Sequence, residues 1–245
     1  MPYANNQGVR IHYQVTGEGP PLVLQHGFNA SLEDWYEFGY VEKLRKEYRL
    51  ILVDARGHGA SDKPHEPEAY ALEWLVSDIT AVLDDLQVGK THYWGYSMGG
   101  WIGFGMAKYA MPRLNSLIIG GAQPYGRSFA QVREILRNGI EAWMAFVEDW
   151  GVYSPGALAR MRNNDSLALL AIIQDRPDMS SVLPGMTMPC LLYAGSTDSQ
   201  CDLAERCANQ LPNATFVSFA GYNHFEIMPH SERVVPHVRK FLASL

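Results

Sequence analysis

The sequence predicts an α/β fold, with a mostly parallel central sheet and helices on both faces. Three observations carry the prediction. Short apolar runs such as "LVLQHG", "RLILVDARGHG" and "LNSLIIGG" stop at glycine and lack in-out alternation, as strands covered on both faces do. Helical segments alternate with these runs, as βαβ units require. The 245 residues, 47% of them hydrophobic, are enough to bury one large core.

The elements follow in order. "VRIHYQVTG" is β-branched and aromatic and reads as a strand that ends at the turn "GEGPP". After the strand "LVLQHG", the spacing of apolar residues in "LEDWYEFGYVEKLRKEY" predicts a single helix, and "RLILVDARGHG" is the next strand. An amphipathic helix over "YALEWLVSDITAVLDDLQV", a strand "THYWGYS", a glycine-rich helix "MGGWIGFGMAKYA" and a strand "LNSLIIGG" come next. At the far end the strands "PCLLYAGST" and "ATFVSFAG" flank a helix at "LAERCANQL". The last helix, "EIMPHSERVVPHVRKFLASL", is expected to kink at Pro236. Residues 123–184 break the alternation, with three helical segments and no strand between them. They read as a helical lid inserted into a core of residues 1–122 and 185–245.

Composition excludes several classes. The formal charge of -6, with scattered Lys and Arg, gives no nucleic-acid footprint. No stretch approaches eighteen apolar residues, so no membrane span is expected, and "MPYANNQGVRIHYQV" lacks the layout of a signal peptide. Three cysteines without paired spacing (Cys190, Cys201 and Cys207) argue against a disulfide framework, and the expected location is the cytoplasm. No His/Cys/Asp cluster has metal-ligand spacing. "VGKTHY" is not the end of a phosphate loop, because Asp84 stands where the first glycine belongs and a strand follows where a helix should.

The chemistry centres on Gly95-x-Ser97-x-Gly99, at a strand-to-helix turn. Such a turn strains the serine backbone, exposes its hydroxyl and sets it at a helix N-terminus, where an anion is favoured. Helix capping alone would not need glycine on both sides, nor Gly100, Gly103 and Gly105 in the helix beyond. A serine hydroxyl needs a base, and the base an orienting carboxylate. His224 lies in the loop after the last strand and Asp198 at the end of the strand before, both at the sheet edge where the serine turn belongs. Asp202 is the rival acid and Asp198 could instead only cap the next helix, but Asp198 is favoured because it lies closer to the strand end. The remaining histidines, among them His12, His65, His92, His230 and His237, read as surface or packing residues. Two backbone N–H groups, of Met98 after the serine and of Phe28 after His26-Gly27, are the candidate oxyanion donors.

These motifs in this order, "HGF" at 26–28, "DARGHGASD" at 54–62, "GYSMGG" at 95–100, the strand-end Asp198 and the late His224, resemble the α/β-hydrolase fold superfamily along nearly the whole chain. The resemblance implies a serine esterase or lactonase acting on a small-molecule ester or lactone of small to medium size, with no cofactor. It implies that Arg56 and His58 support loops and do not catalyse, and that residues 123–184 cap the pocket. Serine at position 97 argues against the chemistry of the family's dehalogenases and epoxide hydrolases, which use aspartate. Tyr96, Trp143, Phe146 and Trp150 are candidate substrate-binding residues, with Leu169 and Ile172 as further possible walls, although any one cap residue is more often simple helix packing. Thioesterase, perhydrolase and C–C hydrolase chemistry stay open, C–C cleavage being the less favoured because "HGFNAS" lacks that group's small oxyanion loop. A slow, ligand-sensing protein on the same fold also stays open, as does monomer against homodimer.

Overall fold

The computed structural model describes residues 2–149, 151 and 153–245. Its strands are β1 (Tyr3–Asn6), β2 (Val9–Thr16), β3 (Pro21–Gln25), β4 (Arg49–Val53), β5 (Thr91–Tyr96), β6 (Leu114–Gly120), β7 (Cys190–Gly195) and β8 (Ala214–Phe219). They form one eight-stranded sheet in the order β1-β2-β4-β3-β5-β6-β7-β8. The hairpin β1–β2 joins β4 antiparallel, and every pair from β4 to β8 is parallel. The uninterrupted apolar runs are the central strands, and all six residues of β7 are buried. The edge strand β8 is mostly part-exposed.

Helices cover both faces. On one lie α3 (Leu72–Asp85), α4 (Met98–Tyr109) and α9 (Cys201–Gln210), packed against the sheet through residues such as Ile79, Phe104 and Cys207. On the other lie α1 (Glu33–Glu37), α2 (Tyr40–Leu44) and α10 (Ser231–Leu242), which bury Trp35, Tyr40 and Val238 against Trp94 and Tyr193. No helix among the described residues is long and apolar enough to cross a membrane.

Between β6 and β7 stand α5 (Ala130–Arg137), α6 (Ile140–Glu148), α7 (Pro155–Arg162) and α8 (Ser166–Ile172). They share a small cluster of their own around Leu136, Met144 and Leu169. Two helices that periodicity treats as continuous are broken. Gly39 (φ 77°) separates α1 from α2, and Gly139 (φ 95°) separates α5 from α6. An apolar spacing can run through a glycine that leaves helical φ, so the pattern does not reveal the break. The last helix begins at Ser231, after a non-helical stretch that contains Pro229, and runs through Pro236.

One buried ion pair ties the loop after β4 to α3. Arg56 donates to both carboxylate oxygens of Asp78, at 2.6 and 2.5 Å, and to the Ala69 carbonyl at 2.6 Å. Both side chains are only 3% exposed. Removing one partner strands the other charge in the core. We expect Arg56→Ala to cost about 3–5 kcal/mol in urea unfolding, and the double variant Arg56→Met/Asp78→Leu to cost less than the single one. A double variant less stable than the single would show that the pair itself, and not the stranded charge, carries the stability.

Candidate active site

Parallel strands bring their C-terminal ends to one edge, and the candidate residues collect there. Ser97 is the single residue between β5 and α4. Its φ of 53° and ψ of -108° lie where an L-residue is strained. Its N–H donates to the Gly120 carbonyl at 2.7 Å. The flanking glycines are required sterically: a Cβ on Gly95 would lie 2.1 Å from the Gly99 carbonyl oxygen, and one on Gly99 2.2 Å from that of Gln25.

His224, in the loop after β8, places Nε2 2.9 Å from Ser97 Oγ and Nδ1 2.7 Å from Asp198 Oδ2. With Nδ1–H donating to the carboxylate, the Nε2 lone pair faces the serine hydroxyl. Asp198 follows β7 and is 5% exposed. Burial alone would raise its pKa, but the hydrogen bond and charge of His224 and the Gln200 N–H outweigh it and hold the carboxyl below its ordinary range. Asp198 Oδ1 accepts from Gln200 N–H at 2.9 Å, so this side chain also shapes the turn into α9. The rival Asp202 is exposed on the first turn of α9. The Tyr96 hydroxyl donates to the His224 carbonyl and anchors the histidine loop.

Met98 N–H opens α4, among the first four N–H groups that have no acceptor within the helix. Phe28 lies in the loop after β3, with Ser97 beside the same cavity. That loop is braced from behind by two buried imidazoles. His26 Nε2 accepts from Ala55 N–H at 3.1 Å while Nδ1–H donates to the Gly27 carbonyl at 2.7 Å. His58 Nε2 accepts from Asn29 N–H at 3.0 Å, and its Nδ1–H donates to the Arg56 carbonyl at 3.2 Å. Asp54 adds a further tie by accepting from Leu32 N–H, Ala60 N–H and His12.

The cavity over Ser97 has a volume of about 400 Å³. Phe28, Trp143, Phe146, Asp198 and His224 line it. A smaller lobe of about 80 Å³ also borders Ser97, with Tyr96, Val147, Tyr153 and Met228 in its wall. Trp143 lines both lobes and stacks on Phe146 at 5.5 Å. Leu169 and Ile172 are packing residues instead, in the helical cluster and in the core beneath it, and Ile173 takes the lining position. Trp150 lies outside the described residues. Lining residues that the sequence reading does not find include Phe225, Gln123, Arg127 and Arg176, all loop residues that no local pattern distinguishes.

Burial pushes the His58 pKa from 6.5 down to about 3. Between those values the unfolded chain binds a proton that the folded chain refuses. The contribution is therefore complete above pH 6.5 and is lost as pH falls toward 3. We expect His58→Gln to flatten the acid loss of stability, by up to about 1.4 kcal/mol per pH unit, in urea unfolding compared at pH 7 and pH 5. Parallel losses in both proteins would refute it.

Known proteins fit this frame. The family model for the alpha/beta hydrolase fold matches residues 20–151. A Bacillus subtilis protein named "Putative 2-succinyl-6-hydroxy-2,4-cyclohexadiene-1-carboxylate synthase" is 28% identical over 236 residues, covering 83% of this chain and 85% of its own. The 3-oxoadipate enol-lactonase 2 of Acinetobacter baylyi is 27% identical over 221 residues, covering 81% and 80%. The crystal structure of the enol-lactonase from Burkholderia xenovorans superposes with a TM-score of 0.86 at 25% identity, over 99% of this chain and 100% of that one. With its fold and this match in agreement, the chain belongs to the alpha/beta hydrolase fold family.

Proposed function

We propose that the protein is a serine hydrolase that cleaves carboxylic esters or lactones through an acyl-enzyme. The observation that carries this reading is the hydrogen-bonded chain Ser97–His224–Asp198 on the wall of a cavity. Ser97 Oγ attacks the carbonyl carbon as His224 Nε2 takes its proton, and Asp198 steadies the imidazolium. The Phe28 and Met98 N–H groups receive the oxyanion, each donor stabilising the transition state by roughly 3–4 kcal/mol. His224 then protonates the leaving alkoxide, and a water molecule, deprotonated by the same imidazole, releases the acid. The steps so written need no cofactor.

Residues 123–184 act as a cap over a core of residues 1–122 and 185–245, and Trp143 and Phe146 contribute its pocket wall. The choice of ester or lactone draws support from the enol-lactonase relative and the enol-lactonase structure.

Release of p-nitrophenol from its acetate ester tests the reading. We expect sustained turnover, a loss of about 10³-fold or more in Ser97→Ala, and a loss of roughly 10³–10⁴-fold in Asp198→Asn, where the histidine is held in the wrong tautomer. A single stoichiometric burst would favour the ligand-sensing role. Equal slow release from wild type and Ser97→Ala would remove Ser97 as nucleophile.

A further inference from the structure

Among the described residues, two arginines in the cavity wall lack a carboxylate partner. Arg127 precedes α5 and Arg176 follows α8, and their backbones exchange hydrogen bonds, Arg127 N–H to the Arg176 carbonyl at 3.0 Å and Arg176 N–H to the Arg127 carbonyl at 2.8 Å. They form an isolated antiparallel bridge. Residues directly opposite in such a pair carry Cβ atoms about 4.5–5.5 Å apart on one side, and like charges there repel. Both arginines line the cavity that contains Ser97 and His224.

Among the described residues neither guanidinium has an ion pair, whereas Arg56 and Arg160 each meet carboxylates. Aromatic rings hold the two cations in place. Arg176 lies 4.5 Å from the Trp101 ring centre and 4.8 Å from that of Phe129, and Arg127 lies 4.7 Å from Phe129. Arg127 reaches solvent and Arg176 is half-buried. Burial and the like charge of Arg127 push the Arg176 pKa down, which is the signature of a cation without compensation. Asp198 acts on Arg127 through space, but its two oxygens are engaged by His224 and the Gln200 N–H.

We propose that Arg127 and Arg176 form a carboxylate-binding subsite, so that the substrate is an ester or lactone bearing a free carboxylate on the portion that occupies the larger lobe. The inference rests on the serine-hydrolase reading for its reaction, and on the arginine pair for its binding. Two guanidinium forks match the planar, two-oxygen face of a carboxylate. Asp198 in the same cavity penalises a dianionic phosphate more than a monoanionic carboxylate. The smaller, mostly apolar lobe would take the uncharged portion.

Binding and turnover test the two parts separately. Calorimetric titration with glutarate should show binding that Arg176→Gln and Arg127→Gln each weaken about tenfold or more, the loss of one charge-assisted contact. Inorganic phosphate should bind more weakly than glutarate. In proton-release assays the wild type should prefer monomethyl glutarate to methyl pentanoate by about tenfold in kcat/KM, and the preference should fall toward one in Arg176→Gln. Should Arg176→Gln not fold, Arg127→Gln at the more exposed position carries the test. Glutarate binding that is absent, or unchanged in folded variants, would overturn the subsite, and tighter phosphate binding would overturn its carboxylate chemistry. Ser97-dependent hydrolysis without charge preference would sink the subsite and leave the hydrolase reading standing. Arginine-dependent glutarate binding without Ser97-dependent hydrolysis would do the reverse.

Discussion

The site depends on one strained turn. A serine at φ 53° and ψ -108° carries a backbone cost of order 1–3 kcal/mol, and the surrounding contacts must hold it. They do so by allowing nothing larger on either side. The backbone of the α4 N-terminus closes on Gly95, and the end of β3 closes on Gly99. The Tyr93 hydroxyl donates to the Gly99 carbonyl at 2.8 Å, tying the turn back to its own strand. The same closeness brings the start of α4 against Gln25 and His26, and Ser97 against Gly27. The strain and the glycines are one arrangement seen from two sides.

A second constraint is electrostatic. The Phe28 loop is secured by imidazoles, and imidazole can both accept and donate only while neutral. His58 donates to one carbonyl and accepts from one N–H, so a proton would turn its accepting nitrogen into a donor facing another donor. Complete burial enforces the neutral form. His224 differs from these in two ways: it is part-exposed, and it faces a carboxylate on one nitrogen and a hydroxyl on the other. Environment separates a brace from a proposed base among residues of one type.

The sequence made the sheet and its serine turn legible because each rests on local rules. Apolar runs ending in glycine mark buried parallel strands, and a serine between spaced glycines marks a turn where helix and strand nearly touch. Asp198 and His224 were legible by position, since the ends of parallel strands converge. Asp198 is favoured over Asp202 in the sequence because it lies closer to the strand end, and in the fold it is Asp198 that meets His224 while Asp202 sits on the exposed first turn of the helix. The breaks at Gly39 and Gly139 were hidden because helical spacing of apolar residues continues across them. Tyr96 looked like a substrate contact because it adjoins the serine, yet its hydroxyl is committed to the His224 backbone while its ring edges the smaller lobe.

The pocket wall was the least legible part, and its physical origin explains why. Arg127 and Arg176 are 49 positions apart in the chain, in "GRSF" and "DRPD", and neither neighbourhood sets its arginine apart. They become a pair only when the segment between β6 and β7 folds back and its two ends meet in a backbone bridge. The same segment also reaches α1 and the Phe28 loop: Arg160 of α7 meets Asp34 and Glu37 of α1, and Asn164 donates to the Asn29 carbonyl at 3.1 Å. Arg176 also packs on Trp101 of α4, so this segment is seated against the helix that opens at the serine turn as well as against α1. The proposed reaction rests on short motifs at the sheet edge, and the proposed carboxylate selectivity on distant positions that only the folded chain brings together.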